Sequence, residues 1–414
     1  MHNRYKVLLS TLLCLIITGT ATAKDFVDHQ QLPAWFNKAV KREASLDEKS
    51  DVELAAFPLK GTVEGRWSDV QQIDEYWYFT IDIGTTTPVE CWAFKDYDGP
   101  ANSLVNMMKY AINNIAQQQG KPLSSQYNYT LDMTTLDDTL VMDYQILYNL
   151  GEGSDTVSGL IKGLSAESAN GLQVCLHNEV GYRKTLKKIF TSFVNAADKS
   201  DNTTPFFHAI NSVEMNGELV GLASEKFVVD SDGDVEMRET LSMILPVDAN
   251  NVAATDTVTL SWSTVDGDLI NTYQYTVENS ELASTFSLSS VDGQWQVEGE
   301  IQGKAVNANL EYQGEMVSNF GTYLMAQSLV TTADVDETAF KIWTADTDPT
   351  ATTTIVMKKR ENANGLYQFH VDMEGFEIEY SVDDKFIMQS AAMHLGPISM
   401  KMAPLFVTGA PISL

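Results

Sequence analysis

Six pairs of turn-forming residues divide the second half of the chain and constrain its fold more than any other feature. They are Asn216-Gly217, Asp232-Gly233, Asp266-Gly267, Asp292-Gly293, Asn364-Gly365 and Glu374-Gly375. Asn-Gly and Asp-Gly accept the positive backbone angles of tight β-hairpins. The segments between these pairs alternate apolar and polar residues, which is typical of strands that bury one face. We therefore predict that residues 207–414 form an all-β antiparallel meander or half-barrel domain.

The preceding part of the chain mixes strand-like and helix-like patterns. Between residues 61 and 197, one helix is predicted to begin at Pro100 and another to run from about Tyr182 to Ala197, with strands on either side. The order β-β-α-β-β-β-β-α predicts an α/β sandwich with a mostly antiparallel sheet. A lead-in segment with a short helix is expected at 24–60 and a polar linker at 198–206. The whole chain is therefore expected to be α+β.

The N-terminal residues 1–23 have the layout of an export signal peptide. Arg4 and Lys6 precede a short apolar run, and small residues follow it up to Ala23. This pattern predicts cleavage after Ala23 and a periplasmic or secreted protein. No later segment approaches the roughly 20 apolar residues that a membrane-spanning helix needs, so we expect no transmembrane segment.

The charge of the chain narrows the classes of partner. It contains 56 acidic and 27 basic residues, for a formal net charge of −29 at pH 7. Such a field repels nucleic acid and anionic lipid headgroups and favours solubility. We expect no nucleic-acid partner for this acidic protein.

The stretch "GLQVCLHNEVGYRK" places Cys175, His177 and Glu179 on one side of a predicted strand. Without residues 1–23, the chain contains only two cysteines, Cys91 and Cys175. An even pair in an exported protein is most simply a disulfide bond. Two alternatives remain open: a zinc site that uses both cysteines with His177 and Glu179, and a cysteine nucleophile.

Two further groups of side chains have more than one interpretation. Methionines recur near the C-terminus beside His394, where they could bind Cu(I) or line a core or an apolar pocket; they are Met388, Met393, Met400 and Met402. A basic group on the second predicted helix could dock an acidic partner or form a solvated helix face; it contains Arg183, Lys184, Lys187 and Lys188. The sequence contains no recognisable catalytic motif. We expect a protein that is not an enzyme, with no catalytic residues, no metal and no cofactor.

The second half also resembles a known class of domain. Its rhythm, from "MNGELVGLASEKFVVDSDGDVEMRETLSMIL" to "GLYQFHVDMEGFEIEYSVDDKFIM", is similar to that of bacterial periplasmic domains of the lipoprotein-carrier type and their uncharacterised relatives. The resemblance covers about residues 206–402. It implies a curved antiparallel half-barrel around an apolar hollow.

These observations predict an exported binding protein whose curved sheet shelters a lipid, an acyl chain or a hydrophobic partner segment. A long acyl chain needs no specific polar motif, because burial alone contributes about 25 cal/mol per Å². The candidate ligand-binding residues are Leu260, Trp262, Trp295, Val297 and Met388. The alternatives are a structural or assembly protein of the cell envelope that binds a protein partner, and a metal- or thiol-handling protein.

Overall fold

A computed structural model describes residues 24–28, 30, 32–54, 57, 59–68, 70–168, 171–197, 204–345 and 348–412. The predicted signal peptide and most of the predicted linker lie outside these residues. Cleavage after Ala23 and the domain boundaries stay predictions. None of the described helices is both long and apolar enough to cross a membrane.

Among the described residues before position 200 there are eleven strands and three α-helices. In chain order they are β1 (Lys24–Asp25), α1 (Ala34–Ala39), β2 (Lys49–Leu54), β3 (Leu59–Glu64), β4 (Arg66–Trp67), β5 (Gln71–Ile73), β6 (Tyr76–Asp82), β7 (Val89–Phe94), α2 (Pro100–Gln119), β8 (Leu123–Leu136), β9 (Thr139–Leu150), β10 (Val157–Ser168), β11 (Gly171–Asn178) and α3 (Arg183–Asn195). β2 pairs with β3, and the other strands form a nine-stranded first sheet in the order β1-β8-β9-β10-β11-β7-β6-β4, with β5 also paired to β6.

After position 200, the part of the chain that the structure describes contains fourteen strands and one α-helix. They are β12 (Phe207–Met215), β13 (Glu218–Val229), β14 (Val235–Pro246), β15 (Val252–Ser263), β16 (Leu269–Glu278), β17 (Glu281–Val291), β18 (Gln294–Ile301), β19 (Lys304–Asn309), α4 (Asn319–Thr331), β20 (Glu337–Ile342), β21 (Thr353–Ala363), β22 (Leu366–Met373), β23 (Phe376–Val382), β24 (Met388–Leu395) and β25 (Ile398–Gly409). All fourteen strands form one antiparallel second sheet in the order β19-β18-β17-β16-β15-β14-β13-β12-β25-β24-β23-β22-β21-β20.

The second sheet curves around α4, which connects its two edge strands. Ser318 caps α4, because its side-chain oxygen accepts a hydrogen bond from the backbone N–H of Gly321 at 3.0 Å. The segment before the helix is hydrogen-bonded to two separate strands of the sheet, β16 and the edge strand β20. The N–H of Leu269 donates to the carbonyl of Met316 at 2.7 Å, and that of Val317 donates to the carbonyl of Lys341 at 2.8 Å. The sheet is therefore barrel-like, with α4 inside it.

The expected α+β class is wrong, because the chain is nearly all-β, with 57% of its described residues in strands and 15% in helices. There is no N-terminal α/β sandwich. The strands of the first sheet are antiparallel, and β8 to β11 follow one another as neighbouring strands with no α-helix between them, while α2 carries the chain from β7 to β8. Its helices cover parts of this sheet and do not form a layer. The second half also contains α4, where only strands were expected.

One hydrophobic core joins the two sheets. α2 begins at Pro100, directly after Gly99, whose φ of 107° suits glycine. The apolar face of α2 contains Leu104 and Met108, which pack in one cluster with Ile244 and Ala254 of the second sheet. The face of the second sheet that contacts α2 is called the outer face below. The opposite face, towards α4, is the interior face.

Candidate functional site

The two cysteines form a disulfide bond between neighbouring strands of the first sheet. Cys91 on β7 lies directly opposite Cys175 on β11, and their Cα atoms are 4.1 Å apart. Both residues are fully buried. The predicted disulfide is confirmed in the structure. The bond removes the sulfur atoms that a zinc site or a cysteine nucleophile would have required.

In the same stretch, His177 contacts the Tyr182 ring edge to face and Glu179 is hydrogen-bonded to the backbone, although neither ring nitrogen of His177 has a hydrogen-bond partner among the described residues. His177 is 1% exposed, and burial, followed by the nearby Lys162 charge, lowers its pKa to about 3. The imidazole is therefore neutral at physiological pH. The Glu179 carboxylate accepts a hydrogen bond from the backbone N–H of Thr86 at 3.1 Å, on the loop before β7.

A small cavity lies in the first sheet beside Lys162. Its volume is about 220 Å³, and it is lined by Val40, Tyr129, Thr130, Gln145, Leu160, Lys162, Gly181 and Arg183. Lys162 is 1% exposed, its ammonium donates to the carbonyl of Glu179, and burial lowers its pKa to about 7. The Arg183 guanidinium lies 2.8 Å from the Asp143 carboxylate. The cationic groups of this cavity are thus already bound to protein acceptors.

Most of the predicted basic group forms ion pairs within the chain. Arg183 and Lys187 both lie within 3.4 Å of carboxylate oxygens of Asp132 and Asp143. Lys188 pairs with Glu64 at 3.3 Å. Because these charges are compensated internally, the group does not present a free cationic surface to an acidic partner.

The interior face of the second sheet contains a pair of carboxyl groups. Glu225 on β13 and Glu239 on β14 lie directly opposite each other in the ladder, so their side chains leave the same face of the sheet. The Tyr323 hydroxyl on α4 lies 2.8–2.9 Å from both Glu225 carboxylate oxygens. The Asn319 amide on α4 donates to Glu239. The pair therefore faces the helix within the curve of the sheet.

Both carboxyl groups have raised pKa values. Burial, followed by repulsion from Glu239, raises the pKa of Glu225 to about 8, although its bond from Tyr323 acts in the opposite direction. Burial raises the pKa of Glu239 to about 7. The two side chains are nevertheless only half-buried. Groups that line a hollow are expected to be surrounded by protein and still to have partial access to water.

A methionine patch continues the same face of the sheet. Met402 and Met400 on β25 lie opposite Val213 and Met215 on β12. On the other side of β25, Met400 also lies opposite Met393 of β24. Val213 lies opposite Gly221, which in turn lies opposite Met243 on β14. The methionine patch consists of Met215, Met243, Met393, Met400 and Met402, all half-buried.

The patch lies on the interior face of the sheet, because the residues that pair with it on neighbouring strands also lie on that face. Ala391 lies opposite both Met402 and Tyr380, and Tyr380 packs in one cluster with Ala326 and Leu329 of α4. Half-exposed thioethers on a concave surface are typical of surfaces that accommodate varied apolar partners. The interior face thus combines a flexible apolar surface, the methionine patch, with a polar group, the Glu225–Glu239 pair.

The five predicted ligand-binding residues are not in one place. Leu260 and Trp262 alternate with Ser261, which lies opposite Met237 on the interior side, so they belong to the outer face. Trp295 and Val297 are buried in one packed cluster with Trp343. Met388 is 8% exposed and lies opposite Val382. Their role in ligand binding stays a prediction.

Only some residues of the interior face could be recognised from the sequence. Met393, Met400 and Met402 were recognised as a possible pocket lining. Met215, Met243 and the Glu225–Glu239 pair were missed, although the two-residue spacing along β25 indicates a shared face. Only the strand register shows which residues of distant strands join that face.

The chain resembles a solved structure but matches no known family. No protein-family description matches the chain, and no curated protein matches it. A crystal structure of a beta-barrel-like protein of the domain of unknown function DUF1849, from Brucella abortus, is similar to part of the chain. The TM-score is 0.39 at 12% identity, covering 49% of this chain and 96% of that one. This match does not show the lipoprotein-carrier resemblance.

Proposed function

We propose that this protein is an exported, non-enzymatic binding protein whose interior face shelters the apolar chain of a lipid-like ligand. The observation that carries the proposal is the methionine patch. Five half-exposed thioether side chains lie on the concave face of one sheet, brought together from four strands. Apolar side chains that remain accessible inside a curve gain stability when an apolar ligand covers them.

The chemistry of methionine supports binding of a flexible chain. Its unbranched side chain has several rotatable bonds and a polarisable sulfur, so a methionine surface can adapt to ligands of different shape. The ligand then gains most of its affinity from apolar area, at about 25 cal/mol per Å². Met243 also packs across Gly221, where a Cβ atom would lie only 2.6 Å from the Met243 Cγ. Glycine at this point leaves room for the thioether on the sheet surface.

Export and the absence of catalysis are part of the proposal. The buried disulfide is of the kind that forms and persists in oxidising compartments. The Cys91–Cys175 bond withdraws the cysteine from nucleophilic roles, and Lys162 and Arg183 are bound to protein acceptors. These features support a binding protein more than an enzyme.

Displacement of a fluorescent apolar dye tests the proposal. Phenylnaphthylamine should bind the wild-type protein with enhanced fluorescence, and dodecanol should displace it. Met402→Lys should weaken dye binding about tenfold, since losing roughly 50 Å² of apolar contact costs about 1.3 kcal/mol.

The matched control is Ala403→Lys, at the next residue of β25. Ala403 is exposed and leaves the opposite face of the strand, so its substitution should not change dye affinity. Absence of dye binding to the folded wild-type protein would contradict the proposal. Equal weakening by both substitutions would also contradict it, because the effect would then not belong to the interior face.

A further inference from the structure

The carboxyl pair of the interior face is a recognition group that the apolar ligand alone does not explain. Glu225 and Glu239 lie directly opposite each other on neighbouring strands, where paired Cβ atoms are about 5 Å apart. Two ionised carboxylates so close repel each other, so their hydrogen bonds to Asn319 and Tyr323 of α4 are made at an electrostatic cost. A like-charged pair that is partly withdrawn from water is typical of functional sites.

The hydrogen bonds to this pair leave acceptors available. The Asn319 amide supplies Glu239, and the Tyr323 hydroxyl supplies Glu225. An ionised carboxyl group offers about four acceptor positions, so these two donors satisfy only part of the pair. Among the described residues, no lysine, arginine or histidine forms an ion pair with either glutamate.

A second acceptor on the same face also lacks a donor. Asn211 on β12 is 3% exposed, and its Oδ1 has no hydrogen-bond partner in the described part of the protein. Asn211 lies opposite Ala223, which is two residues from Glu225 on the same face of β13. A buried acceptor without a donor costs about 1–3 kcal/mol. The region from Asn211 to the pair is therefore rich in acceptors and short of donors.

The region from Asn211 to the Glu225–Glu239 pair is continuous with the methionine patch. Asn211 is two residues from Val213 on the same face of β12, and Val213 lies opposite Met402 of the patch. On β14, Glu239 and Met243 are four residues apart and also share a face. A ligand that lies along these strands would contact apolar thioethers at one end and hydrogen-bond acceptors at the other.

We propose that the ligand is a cationic amphiphile, whose protonated amine binds between Glu225 and Glu239 and whose apolar chain lies on the methionine patch. This inference rests on the proposed function, because it specifies the ligand class for the same interior face. An ammonium group supplies three N–H donors and a positive charge, which are the two properties that the region lacks. The net charge of −29 also favours a cation over a fatty acid or an anionic lipid.

The raised pKa values agree with this assignment. Because burial and mutual repulsion raise the pKa of Glu225 to about 8, the pair keeps a proton at neutral pH when no cation is present. A bound ammonium would favour the ionised form of both groups and displace that proton.

Three ligands with the same chain test the headgroup. Dodecylamine, dodecanol and dodecanoate should each be titrated against the phenylnaphthylamine complex at pH 7. We expect dodecylamine to bind at least tenfold more tightly than the other two. Glu225→Gln with Glu239→Gln should remove that preference and leave dodecanol affinity within about twofold of wild type, which also shows that the variant is folded.

The control is Glu236→Gln, on the outer face of the same strand as Glu239, which should leave all three affinities unchanged. Equal affinities of the wild-type protein for the three ligands would overturn the headgroup inference and leave the proposed function standing. Failure of all three ligands to displace the dye would overturn both. An unchanged amine preference in the double variant would assign the preference to another site.

Discussion

At the scale of single residues, the interior carboxyl pair makes stability depend on pH in an unusual direction. Carboxyl groups that form ion pairs have lowered pKa values and stabilise a fold as the pH rises. Glu225 and Glu239 have raised values instead, so the folded state binds their protons more tightly than the unfolded state does. Their contribution to stability is therefore present below about pH 4.5 and is lost as the pH rises to about 8.

We predict that Glu225→Gln with Glu239→Gln stabilises the protein at pH 8.5 but not at pH 4.5. Glutamine keeps the shape and a hydrogen-bonding capacity while it removes the buried charge. The gain at pH 8.5 should be on the order of 2 kcal/mol, measured by urea unfolding at both pH values. Glu281→Gln, at an exposed residue, is the control. A gain that is the same at both pH values would contradict the assigned pKa shifts.

The disulfide bond is also a single-residue prediction. It links residues that are 84 positions apart, and closing a loop of that length stabilises a protein by about 4–5 kcal/mol in the chain-entropy picture. We expect Cys91→Ser with Cys175→Ser to lower the free energy of unfolding by about 2–5 kcal/mol. Alkylation of the oxidised, denatured chain from Lys24 onward should label no thiol. Two labelled thiols would contradict the bond.

At the scale of elements, α2 is anchored by a residue of the other sheet. The Asp256 carboxylate on β15 accepts hydrogen bonds from the backbone N–H groups of Ala101 and Asn102, at 3.3 and 2.8 Å. It also accepts one from the Asn102 side-chain amide at 2.8 Å. A carboxylate at a helix N-terminus both satisfies free N–H groups and interacts favourably with the helix dipole.

We predict that Asp256→Ala lowers the free energy of unfolding by about 2–3 kcal/mol, because buried donors of α2 lose their acceptor. Hydrogen exchange of the first turn of α2 should accelerate more than exchange in α3. Glu278→Ala, at an exposed residue of the adjacent strand, should change neither quantity. Unchanged exchange at Ala101 and Asn102 in the Asp256 variant would show that the contact does not hold the two sheets together.

The sequence predicted some elements well and others poorly, for physical reasons. Hairpins at Asn216-Gly217 and Asn364-Gly365 could be predicted, because a two-residue turn is a local property; all four residues have positive φ. The disulfide could be predicted from the cysteine count. The helix α4 was missed because it is enclosed by the sheet. An enclosed helix is apolar on several faces, so it lacks the periodicity that identifies a surface helix.

The candidate site was harder to predict than the hairpins. In the sequence, Glu225 and Glu239 are typical of solvent-facing residues on alternating strands. Closure of the sheet around α4 encloses them, and that closure depends on long-range contacts such as Leu269 with Met316. The predicted fold class was wrong for a related reason. The helical periodicity of α2 and α3 was recognised, but the length of the strands that these helices cover was not.

In the whole molecule, we propose that the interior face of the second sheet is the surface that binds an apolar ligand. Methionine methyl groups give a direct test, because each methionine contributes one methyl signal to a carbon-proton NMR spectrum. Three methionines that are buried in the core around α2, Met108, Met133 and Met142, serve as internal references.

The deciding measurement is a titration of dodecylamine into the methyl-labelled protein, with single substitutions to assign the signals. We predict that the methyl signals of Met215, Met243, Met393, Met400 and Met402 shift together along one saturating curve, while those of the three references stay in place. Shifts confined to methionines outside the patch, or no saturable shift at all, would contradict ligand binding on the interior face.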